Sequence, residues 1–111
     1  MGYDFWKAQE DWSEKTFGTS SVRGPLGPLK HLKKEIETEL IPNIEKGIHD
    51  PEEYCDLLFL IFDAARRSGM SYMDLIIGAF KKLSKNKART WPDWRTLTDH
   101  TNPVEHDRSK D

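Results

Sequence analysis

The sequence predicts an all-α domain, and three features carry that prediction. Apolar residues recur three and four apart through most of the chain. The breaks between these runs hold residues that start and stop helices: Gly18, Asp50-Pro51, Gly69. No segment shows the two-residue alternation of a half-buried strand, and no internal repeat or low-complexity tract interrupts the pattern.

Taken in order, residues Asp4 to Phe17 read as a short amphipathic helix carrying Phe5, Trp6 and Trp12, with Gly18 as its stop. The stretch Thr19 to Gly27 is a loop by composition. Pro28 fits the first position of a second helix, whose apolar stripe is Leu29, Leu32, Ile36 and Leu40. Pro42 is expected to end or kink it. The central helix has the strongest start: Asp50 as N-cap, Pro51 at the first position, Glu52 and Glu53 in the first turn. It runs through Tyr54-Cys55-Asp56-Leu57-Leu58-Phe59-Leu60-Ile61-Phe62-Asp63 to about Ser68. Ser71-Tyr72-Met73-Asp74 has capping-box form and opens a fourth helix, apolar at first and then basic from Lys81 to Arg89. Residues 90–111, with two prolines, two tryptophans and two histidines, read as an extended tail.

Length gives one domain, able to hide roughly two-thirds of its extended surface. With 36% hydrophobic and 32% charged residues the core is modest, and a second subunit could complete it. The net charge of −2 argues against a general nucleic-acid coat. No apolar run approaches the roughly 20 residues of a membrane span, and the amino terminus lacks a signal-peptide pattern. The lone Cys55 lies inside an apolar helix and has no internal disulfide partner, which fits a reducing compartment. The expected setting is the cytoplasm.

Three sets of residues carry chemistry. Glu53 and Asp56, three apart on the central helix, can reach one divalent cation or a close pair; alternatively Glu53 completes the helix start and Asp56 faces solvent. On the second helix, Glu35 and Glu39 share one shoulder of the apolar stripe and Glu37 lies on the other. All-oxygen sites of this kind suit magnesium or manganese, although an ordinary charged helix surface looks the same. Lys82, Asn86 and Arg89 share a stripe suited to a phosphate chain, or to a solvated basic face at a helix C-terminus. Asp63 has Arg67 four residues on, so a salt bridge between them is the default reading. Trp12, near Gln9, could stack on a base, yet such a tryptophan is more often core.

These residues resemble a known family. Glu53-Tyr54-Cys55-Asp56, with a Glu-rich helix before it and Lys82-Leu83-Ser84-Lys85-Asn86-Lys87-Ala88-Arg89 after it, is similar to the MazG-like all-α nucleotide pyrophosphohydrolases. Gln9-Glu10-Asp11-Trp12-Ser13, Thr16-Phe17-Gly18, Trp91-Pro92-Asp93-Trp94-Arg95 and Glu105-His106-Asp107-Arg108 narrow the likeness to the dATP/dGTP diphosphohydrolase subfamily of phages and bacteria, across nearly the whole chain. The resemblance implies a helical bundle whose four-helix core is completed in a homodimer or homotetramer. It implies hydrolysis of a purine (deoxy)nucleoside triphosphate, dGTP or dATP, to the monophosphate and pyrophosphate. Glu35, Glu39, Glu53 and Asp56 would hold two or three Mg2+ or Mn2+ ions. Lys82, Asn86 and Arg89 would bind the phosphates, while Gln9, Trp12, Trp91, Trp94 and Arg95 are candidates for selecting the base or closing the pocket. The family's first motif has acids three apart, whereas three residues after Glu35 stands Thr38. Either Glu39 takes that role or the site has one ligand fewer; the segment Leu40 to His49 is also longer than is usual between the motifs. Two rivals stand beside the enzyme: a non-catalytic helical interaction module, and a nucleic-acid binder using Lys81–Arg89 with Trp91 and Trp94. Dense acids disfavour the second, and no stable nucleic-acid or membrane partner is expected.

Overall fold

In the computed structural model, which describes residues 2–108, every regular element is helical. The end of the tail expected over 90–111, from residue 109 on, lies outside the described residues. α1 spans Gly2–Phe17, starting two residues earlier than its sequence suggests, and stops at Gly18, whose φ of 102° suits a residue without a Cβ. Its buried stripe is Trp6, Gln9 and Ser13, spaced three and four apart. Trp6 supplies the buried indole; Trp12 lies off that stripe and is 57% exposed, not part of the core.

α2 spans Leu26–Glu35, its first turn taking in Gly27 and Pro28. Pro42 does not end the run. The backbone widens into a π turn over Ile36–Leu40, then resumes as α3, Ile41–Glu45. The Ile41 N–H reaches back to the Ile36 carbonyl, the i→i+5 bond of a π turn. This widening gives the chain a way to keep a helical path into a residue that lacks an N–H and crowds the turn before it. α4, Pro51–Arg67, begins as its sequence dictates, with Asp50 Oδ1 accepting the Glu52 N–H at 3.0 Å. α5 spans Tyr72–Ala88.

The chain divides into two units, Met1–Tyr72 and Met73–Asp111. In the first, α4 packs against both α1 and α2. Aromatic rings join α1 to α4 and Tyr72: Trp6 to Phe62 at 4.8 Å, Phe5 to Phe59 at 5.7 Å and Trp6 to Tyr72 at 6.0 Å between centroids. Beside them lies a buried polar cluster of Gln9, Ser13, Asp63, Arg66 and Arg67. The expected Asp63–Arg67 bridge is not the one formed. Arg66 Nη1 donates to Asp63 Oδ1 at 2.8 Å. Arg67 instead holds the loop after α1, donating to the carbonyls of Gly18 at 2.9 Å, Arg23 at 3.1 Å and Thr19 at 3.3 Å. Those carbonyls follow a helix end; that of Thr19 also accepts from the Val22 and Arg23 N–H groups within the loop.

In the second unit, α5 buries none of its residues. Beyond it the chain is irregular apart from a short 3-10 turn at Trp94–Thr96, opened by Asp93, whose Oδ1 accepts the Arg95 N–H at 3.0 Å. The two ends of the segment meet, since the Asp107 N–H donates to the Thr90 carbonyl and the His106 ring lies 5.7 Å from that of Trp91.

Candidate active site

Glu35 closes α2 and Glu39 sits in the π turn. The added residue of that turn rotates Glu39 back toward the position Thr38 would hold in an uninterrupted α-helix. Thr38 itself is occupied locally, its hydroxyl donating to the Lys34 carbonyl at 2.7 Å. A hydrogen bond shared with Glu35, then that neighbour's negative charge, hold the Glu39 carboxyl above the usual carboxylate range. Partial desolvation and the charge of Glu53 push the same way, while Lys34 opposes. Glu37 is exposed on the other shoulder.

Glu53 does not cap its own helix, because Asp50 does. Its side chain reaches across to α3, where Asn43 Nδ2 donates to Glu53 Oε1. The other oxygen, Oε2, is buried with no hydrogen-bond partner, which for a carboxylate is costly. Asp56 lies one turn further along α4, exposed. The donor chemistry therefore suits a hard divalent cation: all-oxygen ligands, two neighbouring acids whose mutual repulsion a cation would relieve, and one orphaned carboxylate oxygen. As they stand, no three His, Cys, Asp or Glu side chains among the described residues are arranged to hold a metal ion; closing a cage there needs side-chain movement.

Glu35 and Asp56 also line a cavity of about 590 Å³ formed by α1, α2 and α4, a size typical of small-molecule sites. Its walls are largely aromatic, from Phe5, Trp12, Phe17 and Phe59, with Gln9 and Asp63 among its few polar side chains. On α1 the lining residues Phe5, Ala8, Gln9 and Trp12 follow helical spacing, so one face of that helix serves the cavity. The Trp12 and Phe17 rings stand edge to face, centroids 5.3 Å apart. His31 lines the cavity too, its Nε2 3.1 Å from Glu35 Oε1. Sequence reasoning singled out Gln9 and Trp12 but missed Phe5, His31, Phe59 and the part played by Asp63. A carboxylate inside an apolar run and followed by two arginines was the available signal for Asp63.

The remaining predicted site residues belong to the second unit. Lys82 is exposed on α5, and Asn86 Oδ1 accepts from Arg89 Nη1 at 3.0 Å, so those two share one polar patch. Trp91 is tied to that patch through its Nε1–H, which donates to the Asn86 carbonyl at 2.7 Å. Trp94 is 70% exposed. The Arg95 guanidinium is spent on Asp93, with Nε and Nη2 donating to its two carboxylate oxygens at 3.0 and 2.8 Å.

The family model of dATP/dGTP pyrophosphohydrolases matches residues 5–110. The chain is also 44% identical over 83 residues to the Eaa protein of Salmonella phage P22, across 75% of this chain and 24% of that protein. It thus spans about a quarter of the length of the curated relative it matches. No solved structure matches it.

Proposed function

Because the chain belongs to the dATP/dGTP pyrophosphohydrolase family, we propose that it hydrolyses a purine deoxynucleoside triphosphate to the monophosphate and pyrophosphate, with magnesium or manganese. One observation carries the reading furthest: a single cavity has carboxylates, Glu35 and Asp56, in the same lining as an aromatic compartment with an amide. A nucleotide has the same two halves, a phosphate chain that needs cations and a base that needs flat apolar walls.

Glu35, Glu39, Glu53 and Asp56 would hold the metal. A divalent ion bound there supplies positive charge against the triphosphate and lowers the pKa of water. The chain's own groups do the rest. One of the paired upstream glutamates takes the proton of the water that attacks the α-phosphorus. Lys82, Asn86 and Arg89, in the second unit, carry donors of the kind a pyrophosphate group accepts. The aromatic walls hold the base and exclude water from the reacting end.

The described residues bury few apolar side chains, Trp6 and Ala64, while Tyr54, Leu58 and Ile61 on α4 and Met73, Ile77 and Phe80 on α5 stay exposed at helical spacing. A second copy of the chain would cover such stripes, giving a homodimer or homotetramer. No helix among the described residues is long and apolar enough to cross a membrane; a deoxynucleoside triphosphate substrate would be met in the bacterial or phage-infected host cytoplasm.

The test is to incubate the protein with dGTP, dATP, dCTP and dTTP plus magnesium or manganese and to resolve products by ion exchange. Monophosphate with pyrophosphate is the expected outcome, fastest for the purines. Diphosphate with free phosphate would overturn the assigned bond.

A further inference from the structure

Gln9 is 7% exposed, lines the aromatic cavity, and has an oxygen, Oε1, with no hydrogen-bond partner. The orientation of its amide is not free. Gln9 Nε2 donates to Asp63 Oδ1 at 3.0 Å, and Asp63, 5% exposed, is a carboxylate that can only accept. Turning the amide over would set its oxygen against that carboxylate. Asp63 is itself fixed, because the same Oδ1 accepts from Arg66 Nη1 at 2.8 Å. Arg66 is held in turn by Ser13 Oγ at 3.4 Å and Glu14 Oε1 at 3.6 Å. The chain of partners from Glu14 and Ser13 through Arg66 and Asp63 therefore leaves the acceptor end of Gln9 unanswered. Unsatisfied buried polar atoms are rare in native folds, and a ligand donor is one way to answer them.

Resting on the nucleotide reading above, we propose that Asp63 is a positioning residue for base recognition. It orients Gln9 so that Oε1, beside the Asp63 carboxylate, accepts hydrogen bonds from the N1–H and 2-amino edge of a guanine base held between the aromatic walls. The two lone pairs of that one amide oxygen can meet guanine's two neighbouring donors. Adenine sets an acceptor, N1, beside its single amino group, and hypoxanthine has the N1–H but lacks the 2-amino group. A site built to bind a donor rejects the analogue that lacks it, because its own acceptor is then left unpaired.

The experiment compares kcat/KM of the intact protein for dGTP, dITP and dATP with manganese. The expected result is dGTP over dITP by at least about tenfold, with dATP also below dGTP. In Gln9→Met the dGTP/dITP ratio falls to near one. In Asp63→Asn the amide oxygen can still accept from both Gln9 Nε2 and Arg66 Nη1, so the dGTP/dITP ratio is retained. Asp63→Leu leaves Gln9 Nε2 without its acceptor, the Gln9 amide is free to turn, and the dGTP/dITP ratio falls; a purely structural role for Asp63 would lower the rate on both nucleotides alike and leave the ratio unmoved. Should Asp63→Leu fail to fold, the Gln9→Met ratio decides. Binding of dGMP against dIMP, followed by tryptophan fluorescence, reads the same contact without turnover. Equal handling of dGTP and dITP by the unaltered protein, or a ratio unmoved by Gln9→Met, overturns the proposal and leaves pyrophosphohydrolysis standing. Failure to release pyrophosphate from any nucleotide instead removes the reading on which it rests, and the dGMP/dIMP comparison still decides the contact.

Discussion

Arg66 and Asp63 form an ion pair 2.8 Å long one helical turn apart, with side chains only 6% and 7% exposed. A pair so placed depends on both members, since removing one leaves an uncompensated buried charge. Arg66→Met is expected to destabilise the fold by about 3–5 kcal/mol. The double variant Asp63→Leu with Arg66→Met should recover much of that loss. Urea unfolding midpoints of the three proteins check this; a double variant no better than the single one would show that the pair's worth lies in the Ser13 and Glu14 contacts.

The π turn swings Glu39 toward Glu35, the basis for proposing Glu39 as the upstream acid. Glu39→Gln should lower manganese-dependent pyrophosphate release by at least about tenfold, whereas Glu37→Gln, on the exposed shoulder, should leave it within about twofold. Steady-state rates on dGTP distinguish them, and equal losses would place the ligand elsewhere on the helix.

Asp56 is exposed and has no structural duty in α4, so Asp56→Asn should abolish turnover while leaving helix content and thermal midpoint unchanged. Manganese itself should raise the midpoint, by about 2.7 kcal/mol of added stability at a hundred times its dissociation constant, and EDTA should reverse it. Circular dichroism melts with and without metal measure both effects. Loss of metal-dependent stabilisation in Glu53→Gln would tie the effect to the orphaned carboxylate.

Glu14 gives the acid limb of stability a specific cause. Burial alone would raise its pKa, but the Ser20 hydroxyl, donating to it at 2.8 Å, and the charges of Arg66 and Arg67 outweigh burial and hold it low. A carboxyl depressed in the folded state stabilises above its unfolded value, near 4.5, and that contribution is lost as pH falls through the folded one. Glu14→Gln should therefore be less stable than the unaltered chain at neutral pH, with the gap closing on acidification below about 4.5. Thermal midpoints from pH 3 to pH 7 (roughly the span over which carboxyls titrate) would show it; a constant gap would mean that Glu14 acts by packing alone.

Phe80 is 72% exposed at the end of the stripe Met73, Ile77, Phe80. Phe80→Glu should shift the protein toward the monomer in sedimentation velocity. A monomeric unaltered protein would show instead that the stripe has another occupant.

The helix starts and stops were legible because they are local. Asp50-Pro51 fixes the first turn of α4 by hydrogen bonding within a few residues, and Gly18 ends α1 because its backbone takes a left-handed turn. The acids Glu35, Glu39, Glu53 and Asp56 could also be named from spacing, since neighbours on one helix are set by its pitch. The fate of Pro42 was less visible: the sequence shows that a proline disturbs a helix, not that the turn before it widens to absorb the disturbance.

By itself, then, the sequence determined what short-range geometry determines: an all-helical chain, the ends of its helices, and the candidate acids along them. Only the tertiary structure decided which arginine answers Asp63, how the Gln9 amide is turned, and that Phe5, His31 and Phe59 share one cavity with Glu35 and Asp56. Those outcomes depend on groups 54 positions apart, as with Gln9 and Asp63. Burial makes the choice between partners strict, because a polar atom away from water must be matched by whichever neighbour packing supplies.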